Sequence, residues 1–290
     1  MSTLLLRAFS SFVRLLSWHR AQKLGAALGL VWFHLVRIRR KTAMSNLALA
    51  LPDQTQRHRK IARDAYRHFG ISALELLKLQ GMNSDLIAKR VHPKGMEHYE
   101  AAKARGKGVI VVTAHFGNFD LLACTQAALG IPLAIVSREL HRGELSKFWM
   151  ETRRSSGLEI FTDTGSPRHV LAWLRSGKVL GLTVDQRTPP DRGGVLADFM
   201  GCEVWTTTAP AKLALHTGAA LLPVRVERRP DGDHDIVIEP EIQDTKVPET
   251  DRIQALTRKI NALVGNWVTR RPELWMWLHR RFIDASKTGP

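Results

Sequence analysis

The chain has 290 residues and a mass of 32.6 kDa, enough for one large domain or two small ones. Hydrophobic residues make up 44% and charged residues 24%, a balance that excludes an intrinsically disordered protein, and two cysteines exclude a disulfide scaffold or a cysteine-rich zinc site. The 43 Lys and Arg residues exceed the 27 Asp and Glu residues by 16, so we expect an anionic partner, either nucleic acid or acidic lipid.

The first 52 residues are both basic and apolar, with eight Lys or Arg residues and no Asp or Glu. Leu5, Phe9, Phe12 and Leu16 recur at helical spacing and predict an amphipathic helix of the kind that lies in a membrane interface. The uncharged run 24–36 has 13 residues, too few to cross a hydrocarbon core of about 30 Å. This composition favours lipid over nucleic acid as the partner; a packed helix pair with a solvated basic face is the alternative.

The rest of the chain alternates helical and strand patterns. Apolar residues at helical spacing predict a helix from Asp53, as its N-cap, to Leu79. The later predicted strands are 109–113, 133–136, 158–161, 179–184, 220–226 and 236–238. The later predicted helices are 143–156, 166–175 and 207–217. They predict an α/β fold with a mostly parallel central sheet flanked by helices, and Asp231-Gly232 predicts an antiparallel hairpin at one edge. We expect residues 1–52 to form a membrane-associating helical segment and residues 53–290 a single α/β domain.

The first chemical signal follows the first of these strands, where open α/β sheets place their sites. His115 is predicted in a turn at Gly117, and Asp120 in the first turn of the next helix, close enough for its carboxylate to accept the imidazole N–H. Such a pair acts as a general base toward a hydroxyl. A His and an Asp five residues apart are also common by chance, so a hydrogen-bonded loop histidine is the alternative.

Two further segments carry polar groups. Arg153 and Arg154 end a predicted helix, and Asp185-Gln186-Arg187 follows another predicted strand, where the arginine could meet phosphate in a polar headgroup. The sequence has no G-x-S-x-G, G-x-G-x-x-G or P-loop motif, and no paired histidines accompany His115, so we expect no serine nucleophile, nucleotide cofactor or metal site. Cys124 and Cys202 are expected to be small packed residues.

Several segments together resemble the bacterial lipid A biosynthesis acyltransferases, the lauroyl/myristoyl transferase family. The segments that carry the resemblance are Arg39–Ala43, His115–Asp120, Arg153–Ser155, Val184–Gln186, Thr206–Ala214, Gly218–Val224 and Pro272–Phe282. The HxxxxD element is shared with the wider glycerolipid acyltransferase superfamily, whereas the tryptophan-rich segment Pro272–Phe282 is similar to the lipid A branch. The resemblance covers nearly the whole chain, and the segments follow the family's order.

The resemblance implies O-acylation from an acyl-carrier-protein or CoA thioester at the cytoplasmic face of the bacterial inner membrane, by a peripheral or monotopic protein. It implies His115 as the base, Asp120 as its orienting carboxylate, and Arg154 and Asp185 as further catalytic residues. The candidates for substrate binding are Asn118, Arg153, Gln186 and Arg187. No cofactor is expected to be permanently bound. The expected partners are acyl carrier protein, anionic membrane lipids and a lipid acceptor, and not nucleic acid.

The acceptor has more than one candidate. The family often has Glu at the second position of this pair. This chain has Asp120 there, and the glycerolipid enzymes also have Asp. The resemblance makes a lipid A precursor the first expectation. Because of Asp120, a lysophospholipid or another glycolipid is the alternative. A non-catalytic basic protein that binds anionic membrane or nucleic acid is the alternative from another class. Trp275 and Trp277 predict either a lipid-contacting belt or core packing, with Arg280 and Arg281 solvated.

Overall fold

The fold is described here from a computed structural model, which covers residues 3–79, 82, 84–137, 143–162, 167–243 and 247–287. Its amino-terminal part is helical. The helices are α1 (Thr3–Leu15), α2 (Trp18–Val31), α3 (Arg40–Ala50) and α4 (His58–Leu79). A π-helical segment, Trp32–Val36, continues α2, and a 3-10 segment, Pro52–Arg57, precedes α4. The predicted N-cap at Asp53 is therefore wrong: Asp53 lies in the 3-10 segment, and the α-helix begins at His58.

Helix α1 has two apolar faces instead of the single predicted stripe. Leu6 and Val13 point inward and are buried, and Ser10 is buried with them. Most of the predicted stripe faces outward, since Leu5 is 59% and Phe12 51% exposed, whereas Leu16 packs partly buried against the interior. The exposed side chains of this stripe are therefore not packed in the protein interior. Among the described residues, no helix combines the length and the apolar character that crossing a bilayer takes.

Helices α2 and α4 approach so closely that their backbones touch. A Cβ atom on Gly29 would lie 2.3 Å from the carbonyl oxygen of Tyr66, and one on Gly70 would lie 2.1 Å from that of Gly25. Both distances are shorter than any non-bonded contact allows, so only glycine fits. Small residues four positions apart are what lets two helices pack at this distance.

Beyond α4, strands and helices alternate to the end of the chain. In order they are α5 (Ser84–Ala88), β1 (Val91–Lys94), α6 (Met96–Ala104), β2 (Val109–Thr113), α7 (Phe119–Ala128), β3 (Leu133–Ser137), α8 (Glu144–Arg154), β4 (Glu159–Thr162), α9 (Pro167–Arg175), β5 (Val179–Thr183), β6 (Gly194–Phe199), β7 (Cys202–Thr207), α10 (Ala209–Thr217), β8 (Ala220–Arg228), β9 (His234–Ile238), α11 (Glu249–Arg270) and β10 (Ser286–Lys287). Residue 166, at the edge of one predicted helix, lies outside the described residues.

The main sheet has seven strands in the order β1-β9-β8-β2-β5-β3-β4. From β8 to β4 all neighbours are parallel, whereas β9 pairs antiparallel with β8 through the hairpin at Asp231-Gly232. The mostly parallel sheet and the hairpin are thus confirmed. Strand β2 is central and almost wholly buried, as its run of β-branched residues predicts. Apolar clusters cover both faces of the sheet.

Two parts of the architecture did not follow from the sequence. Strand β1 contains Pro93, which weakens a strand pattern, yet it pairs parallel with β9 at the sheet edge, where proline is tolerated. A second, antiparallel sheet has the order β10-β7-β6. Its residues alternate between buried and exposed positions, so they do not form the continuous apolar runs that mark the parallel strands.

Candidate functional site

The loop that carries His115 leaves β2 at the carboxyl edge of the sheet. Gly117 has φ +62°, and a Cβ there would lie 1.8 Å from the carbonyl oxygen of Val226, so the turn requires glycine. The tryptophan-rich segment holds the loop in place. The N–H of Gly117 donates to the carbonyl of Leu274 at 2.8 Å, and the N–H of Met276 donates to that of His115 at 3.0 Å. The two segments quoted above for their resemblance are therefore joined by backbone hydrogen bonds.

The carboxylate that meets His115 is Asp185, not Asp120. Nδ1 of His115 lies 2.8 Å from Oδ1 of Asp185, and the His115 backbone N–H donates to Oδ2 at 3.0 Å. Asp185 follows β5, and β5 is the parallel neighbour of β2, so the two strand ends bring these residues together across 70 positions of sequence. The expected contact between His115 and Asp120 is corrected accordingly: adjacency in the sheet, and not along the chain, selects the partner.

Asp185 remains ionised although it is wholly buried. Burial by itself would raise the pKa of this carboxyl, but His115 and the indole N–H of Trp275, which donates at 2.7 Å, outweigh it and hold the pKa well below its usual range. An ionised carboxylate can only accept hydrogen bonds, so Nδ1 of His115 is the protonated ring nitrogen. In the neutral imidazole, Nε2 of His115 is then the nitrogen with the lone pair, which is what a general base requires.

Asp120 pairs with Arg153 instead. In the first turn of α7 its carboxylate faces α8, and Nε and Nη2 of Arg153 lie 2.8 and 2.7 Å from Oδ1. Both side chains are at least 86% buried, since their exposures are 8% and 14%. Arg154 is exposed at the end of α8 and is not brought to the site, because successive helical residues point about 100° apart. Of the two arginines, Arg153 and not Arg154 lies at the site.

Two side chains lie around Nε2 of His115. Nε2 of Gln186 is 3.3 Å from it and 3.4 Å from Nε2 of His279, and the His115 and His279 rings are 4.6 Å apart. Burial lowers the pKa of His279 to about 3, and the positive charges of Arg39 and Arg281 act in the same direction. His279 is therefore neutral at pH 7. His279 belongs to the tryptophan-rich segment, and no sequence pattern marks it as a residue of the site.

His115 lies between two cavities of opposite character. The first, the apolar cavity, runs beneath α6 and α7 along the sheet and is lined by His115, Phe119, Asp120 and Arg153 at one end and by aliphatic side chains such as Leu133 and Ile238 beyond. The second, the basic cavity, is lined by Arg39, Gln186, Arg187, His279, Arg280, Ile283 and Asp284. The His115 ring contacts Phe119 of the first and His279 of the second, at centroid distances of 4.7 and 4.6 Å.

Asn118 anchors the loop and is not free to bind a substrate. It is 2% exposed, its side-chain oxygen caps α7 by accepting from the N–H of Leu121, and its side-chain nitrogen donates to Glu75 at 2.7 Å. Glu75 of α4 is completely buried and also accepts from Gln22 at 2.7 Å and Arg228 at 2.6 Å. Although burial would raise the pKa of Glu75, Arg228 and His234 hold it below its usual range. No motif at the sequence level marks Glu75.

The tryptophan-rich segment is core and not a lipid belt. Trp275 and Trp277 have no exposed surface, and Arg281, expected to be solvated, is only 1% exposed. Arg281 donates to the backbone oxygens of Gln186 and Trp205 at 2.9 and 2.8 Å, which fixes the loop after Asp185. Arg280, the residue before Arg281, is exposed as predicted. Arg187 is paired with Asp284 at the rim of the basic cavity.

Comparisons with known proteins find similarity over most of the chain. The profile described as bacterial lipid A biosynthesis acyltransferase matches residues 2–284. The lipid A biosynthesis lauroyltransferase of Escherichia coli K12 is 27% identical over 92% of this chain and 87% of its own length. The phosphatidylinositol mannoside acyltransferase of Mycolicibacterium smegmatis is 28% identical over 72% of this chain and 68% of its own. A crystal structure of the 1-acyl-sn-glycerophosphate acyltransferase of Thermotoga maritima covers 85% of this chain and 98% of its own, with a TM-score of 0.39 and 12% identity.

Proposed function

The chain belongs to the bacterial lipid A biosynthesis acyltransferase family, and from that premise we propose that it transfers a fatty acyl chain from a thioester to a hydroxyl of a lipid A precursor, with His115 as the general base. Family membership makes it an acyltransferase with a lipid acceptor, and so excludes the non-catalytic alternative. The observation that carries the mechanism is the hydrogen bond between His115 and the ionised, buried Asp185.

The proposed reaction is a direct transfer. Nε2 of His115 takes the proton of the acceptor hydroxyl while its oxygen attacks the thioester carbonyl carbon, and Asp185 stabilises the imidazolium that forms. The tetrahedral oxyanion then collapses, the C–S bond breaks, and the imidazolium gives its proton to the leaving thiolate. Arg153, which lines the apolar cavity with His115, supplies positive charge beside the oxyanion.

The apolar cavity suits the acyl chain of the donor. Its walls beyond the catalytic end are aliphatic side chains from β3, β8 and β9, and an acyl chain placed there is removed from water along its length. Its carbonyl end would then lie at His115. We propose an acyl-carrier-protein thioester as the donor, since an acidic carrier suits a chain with a net charge of +16, with CoA thioester as the second candidate.

We further propose that α1 rests on an anionic membrane, at the cytoplasmic face of the bacterial inner membrane. Leu5, Phe9 and Phe12 form an outward apolar stripe, and Leu35 and Ile38 beyond α2 are 74% and 57% exposed. Basic residues lie among them and no acidic residue precedes Asp53. Apolar side chains at the acyl boundary with Lys and Arg at the headgroups are the combination that holds interfacial helices.

The acceptor is tested directly. The membrane fraction is incubated with labelled acyl-carrier-protein and CoA thioesters and, in separate reactions, a lipid A precursor, a lysophospholipid and a mannosylated glycolipid, the last because one relative is a phosphatidylinositol mannoside acyltransferase. We expect label on the lipid A precursor, lost in His115→Ala. Label on another acceptor would replace the lipid A assignment, and a product that persists in His115→Ala would remove His115 as the base.

Membrane contact is tested separately by flotation. A variant with Leu5, Phe9 and Phe12 all changed to Ser should bind vesicles containing anionic lipid at least tenfold more weakly, because each buried apolar side chain contributes roughly 1.5–3 kcal/mol. The same three exchanges leave the folded interior unchanged, since these side chains are outward. Undiminished binding would show that α1 does not carry the contact.

A further inference from the structure

The ring nitrogen of His115 that takes the proton is covered by an amide. Nε2 of Gln186 lies 3.3 Å from Nε2 of His115. Because Asp185 accepts the proton on Nδ1 of His115, Nε2 of the neutral ring offers a lone pair, and only the NH2 end of an amide can face a lone pair. Gln186 therefore donates an N–H to the nitrogen that acts as the base in the proposed mechanism.

The same amide nitrogen is held from its other side by His279. Nε2 of His279 lies 3.4 Å from Nε2 of Gln186. Burial lowers the pKa of His279 to about 3, so its ring is neutral at pH 7 and one of its nitrogens has a lone pair. The NH2 group of an amide has two hydrogens to donate. One of them serves His115 and the other serves His279.

Both residues are anchored through their backbones. The carbonyl of Gln186 accepts from Nη1 of Arg281 at 2.9 Å, and Arg281 is 1% exposed. The carbonyl of His279 accepts from the side chain of Asn46 in α3 at 2.7 Å, and Asn46 is 4% exposed. Two separate buried contacts thus fix the place at which the amide and the two imidazoles meet.

The amide lies on the side of His115 that is left to the acceptor. Phe119 and Arg153 line the apolar cavity, in which the acyl chain and its carbonyl are proposed to lie. Gln186 and His279 line the basic cavity instead. A hydroxyl that approaches Nε2 of His115 from the basic cavity therefore meets the amide of Gln186 before it meets the thioester.

An acceptor hydroxyl has to displace this amide from His115. Nε2 has one lone pair, so it cannot accept fully from Gln186 and from the hydroxyl at the same time. Once the O–H is at Nε2, the displaced N–H of Gln186 lies next to the hydroxyl oxygen, which has two lone pairs. His279 still holds the second N–H, so the amide stays beside that oxygen.

From this geometry we infer that Gln186 is a further catalytic residue, which orients the acceptor hydroxyl by donating an N–H to its oxygen, and that His279 is a positioning residue that holds Gln186. This role rests on the proposed function, in which His115 is the base. The O–H bond breaks and its proton passes to Nε2 of His115. One electron pair of the oxygen then forms the bond to the thioester carbon, and another accepts from Gln186, which gives up no proton.

Gln186 is tested by exchanges that retain its length. Gln186→Glu and Gln186→Met have no N–H to donate, and only the first adds a charge. We expect kcat to fall about 10²-fold in both, as for a misplaced reactant, with KM for the acceptor changed by less than about threefold. The same two exchanges at Gln243, which is exposed beside the amino end of β8, should retain wild-type kcat. Wild-type kcat in Gln186→Met would overturn the inference, because shape alone would then suffice.

His279 is tested by what replaces its ring. The side-chain oxygen of His279→Gln is as many bonds from the backbone as Nε2 and can accept from Gln186, whereas His279→Leu removes the acceptor. We expect kcat to be about tenfold lower in His279→Leu and close to wild type in His279→Gln. In the Gln186→Met background, His279→Leu should cause no further loss, because its effect passes through Gln186. Equal losses in His279→Leu and His279→Gln would contradict this role.

A spectroscopic measurement separates this inference from the proposed function, because it needs no acyl transfer. Nitrogen-15 NMR of histidine-labelled protein distinguishes a ring nitrogen with a proton from one with a lone pair, and His115→Ala and His279→Leu identify the two signals. We expect an unprotonated Nε2 in both rings of wild type, and a shifted Nε2 signal of His279 in Gln186→Met. A protonated Nε2 in either ring would overturn the inference even if wild type acylates its acceptor. Two unprotonated Nε2 atoms without any acyl transfer would instead remove the proposed function, and with it this role of Gln186.

Discussion

Asp185 contacts His115 through both of its oxygens, with Oδ1 2.8 Å from the ring nitrogen Nδ1 and Oδ2 3.0 Å from the backbone nitrogen of the same residue. The carboxylate therefore fixes the orientation of the imidazole and the position of the loop that carries it. One residue thus links the end of β5 to His115 at the end of β2.

Replacing the carboxylate of Asp185 should abolish the proposed general-base catalysis by His115 without unfolding the protein. Asp185→Asn retains the size of the side chain but can donate to Nδ1, which would leave the proton on Nε2, the wrong nitrogen. We expect kcat to fall by about 10³-fold or more, with little change in KM. Steady-state acyl transfer, with circular dichroism as the control for folding, measures this. A fall of less than tenfold would mean that another group orients His115.

Asp120 and Arg153 should behave as one unit. Either Asp120→Asn or Arg153→Gln leaves a buried partner unpaired, so we expect each to lower the free energy of unfolding by about 3 kcal/mol, and the double variant to lose less than the sum. Denaturant unfolding of the three variants gives the coupling free energy between Asp120 and Arg153. Arg154→Gln is the neighbouring exchange at an exposed position, and a larger loss there than in Arg153→Gln would reverse the assignment of these two arginines.

Glu75 should be a positioning residue for the catalytic loop. Glu75→Gln retains the side chain's shape but removes the charge that holds Arg228, and we expect a loss of about 3–5 kcal/mol in the free energy of unfolding. Because Asn118 also loses its partner, kcat should fall more than KM rises. The variant Asn118→Ala tests the loop alone: similar kcat losses in both variants would support the route through Asn118, and an unchanged kcat in Asn118→Ala would exclude it.

Stability should decrease in mild acid. Burial lowers the pKa of His68 to about 3, with Arg228 adding to the effect, so the unfolded chain binds this proton from about pH 6.5 downward while the folded protein does not. The unfolded state then binds more protons, and the free energy of unfolding falls by several kcal/mol as the pH drops from 6.5 toward 3. His68→Gln should reduce this slope and leave the share of His279, whose pKa burial also lowers to about 3, with His19→Gln, an exposed exchange of the same kind, measured beside it. An unaltered slope in His68→Gln would show that other groups carry the acid sensitivity.

The close contact of α2 and α4 gives a prediction that involves no charge. Gly29→Val would force its side chain into the carbonyl of Tyr66, and we expect a loss of about 2 kcal/mol or more in the free energy of unfolding. Ala27→Val, on the exposed face of α2, adds the same β-branched side chain without the clash. Equal losses in the two variants would mean that the contact between backbones does not set the cost.

The sheet was predictable because its parallel strands are buried on both faces and form continuous apolar runs such as Val109–Thr113. The hairpin at Asp231-Gly232 was predictable because its turn needs those residues. The partner of His115 was not: a pair close in sequence, His115 and Asp120, competes with a pair that only the order of strands creates. Knowledge that β2 and β5 are neighbours would have selected Asp185.

Glu75 and Arg153 mark another limit of sequence reasoning. A glutamate on an amphipathic helix is normally solvated, and nothing in the pattern of α4 distinguishes Glu75 from an exposed residue. Arg153 and Arg154 differ only in which way the helix turns them, and a shift of one residue decides which one is buried. Such distinctions depend on tertiary packing and not on composition or period.

The placement of His115 between the apolar cavity and the basic cavity also determines the kinetic order of a reaction at this centre. Two separate cavities meet at His115, so under the proposed direct transfer neither product has to depart before the other substrate arrives, and both substrates are bound when the bond forms. Initial rates at varied concentrations of the two substrates should give intersecting and not parallel double-reciprocal lines. Without an acceptor, the enzyme should not exchange label between the thioester and free thiol.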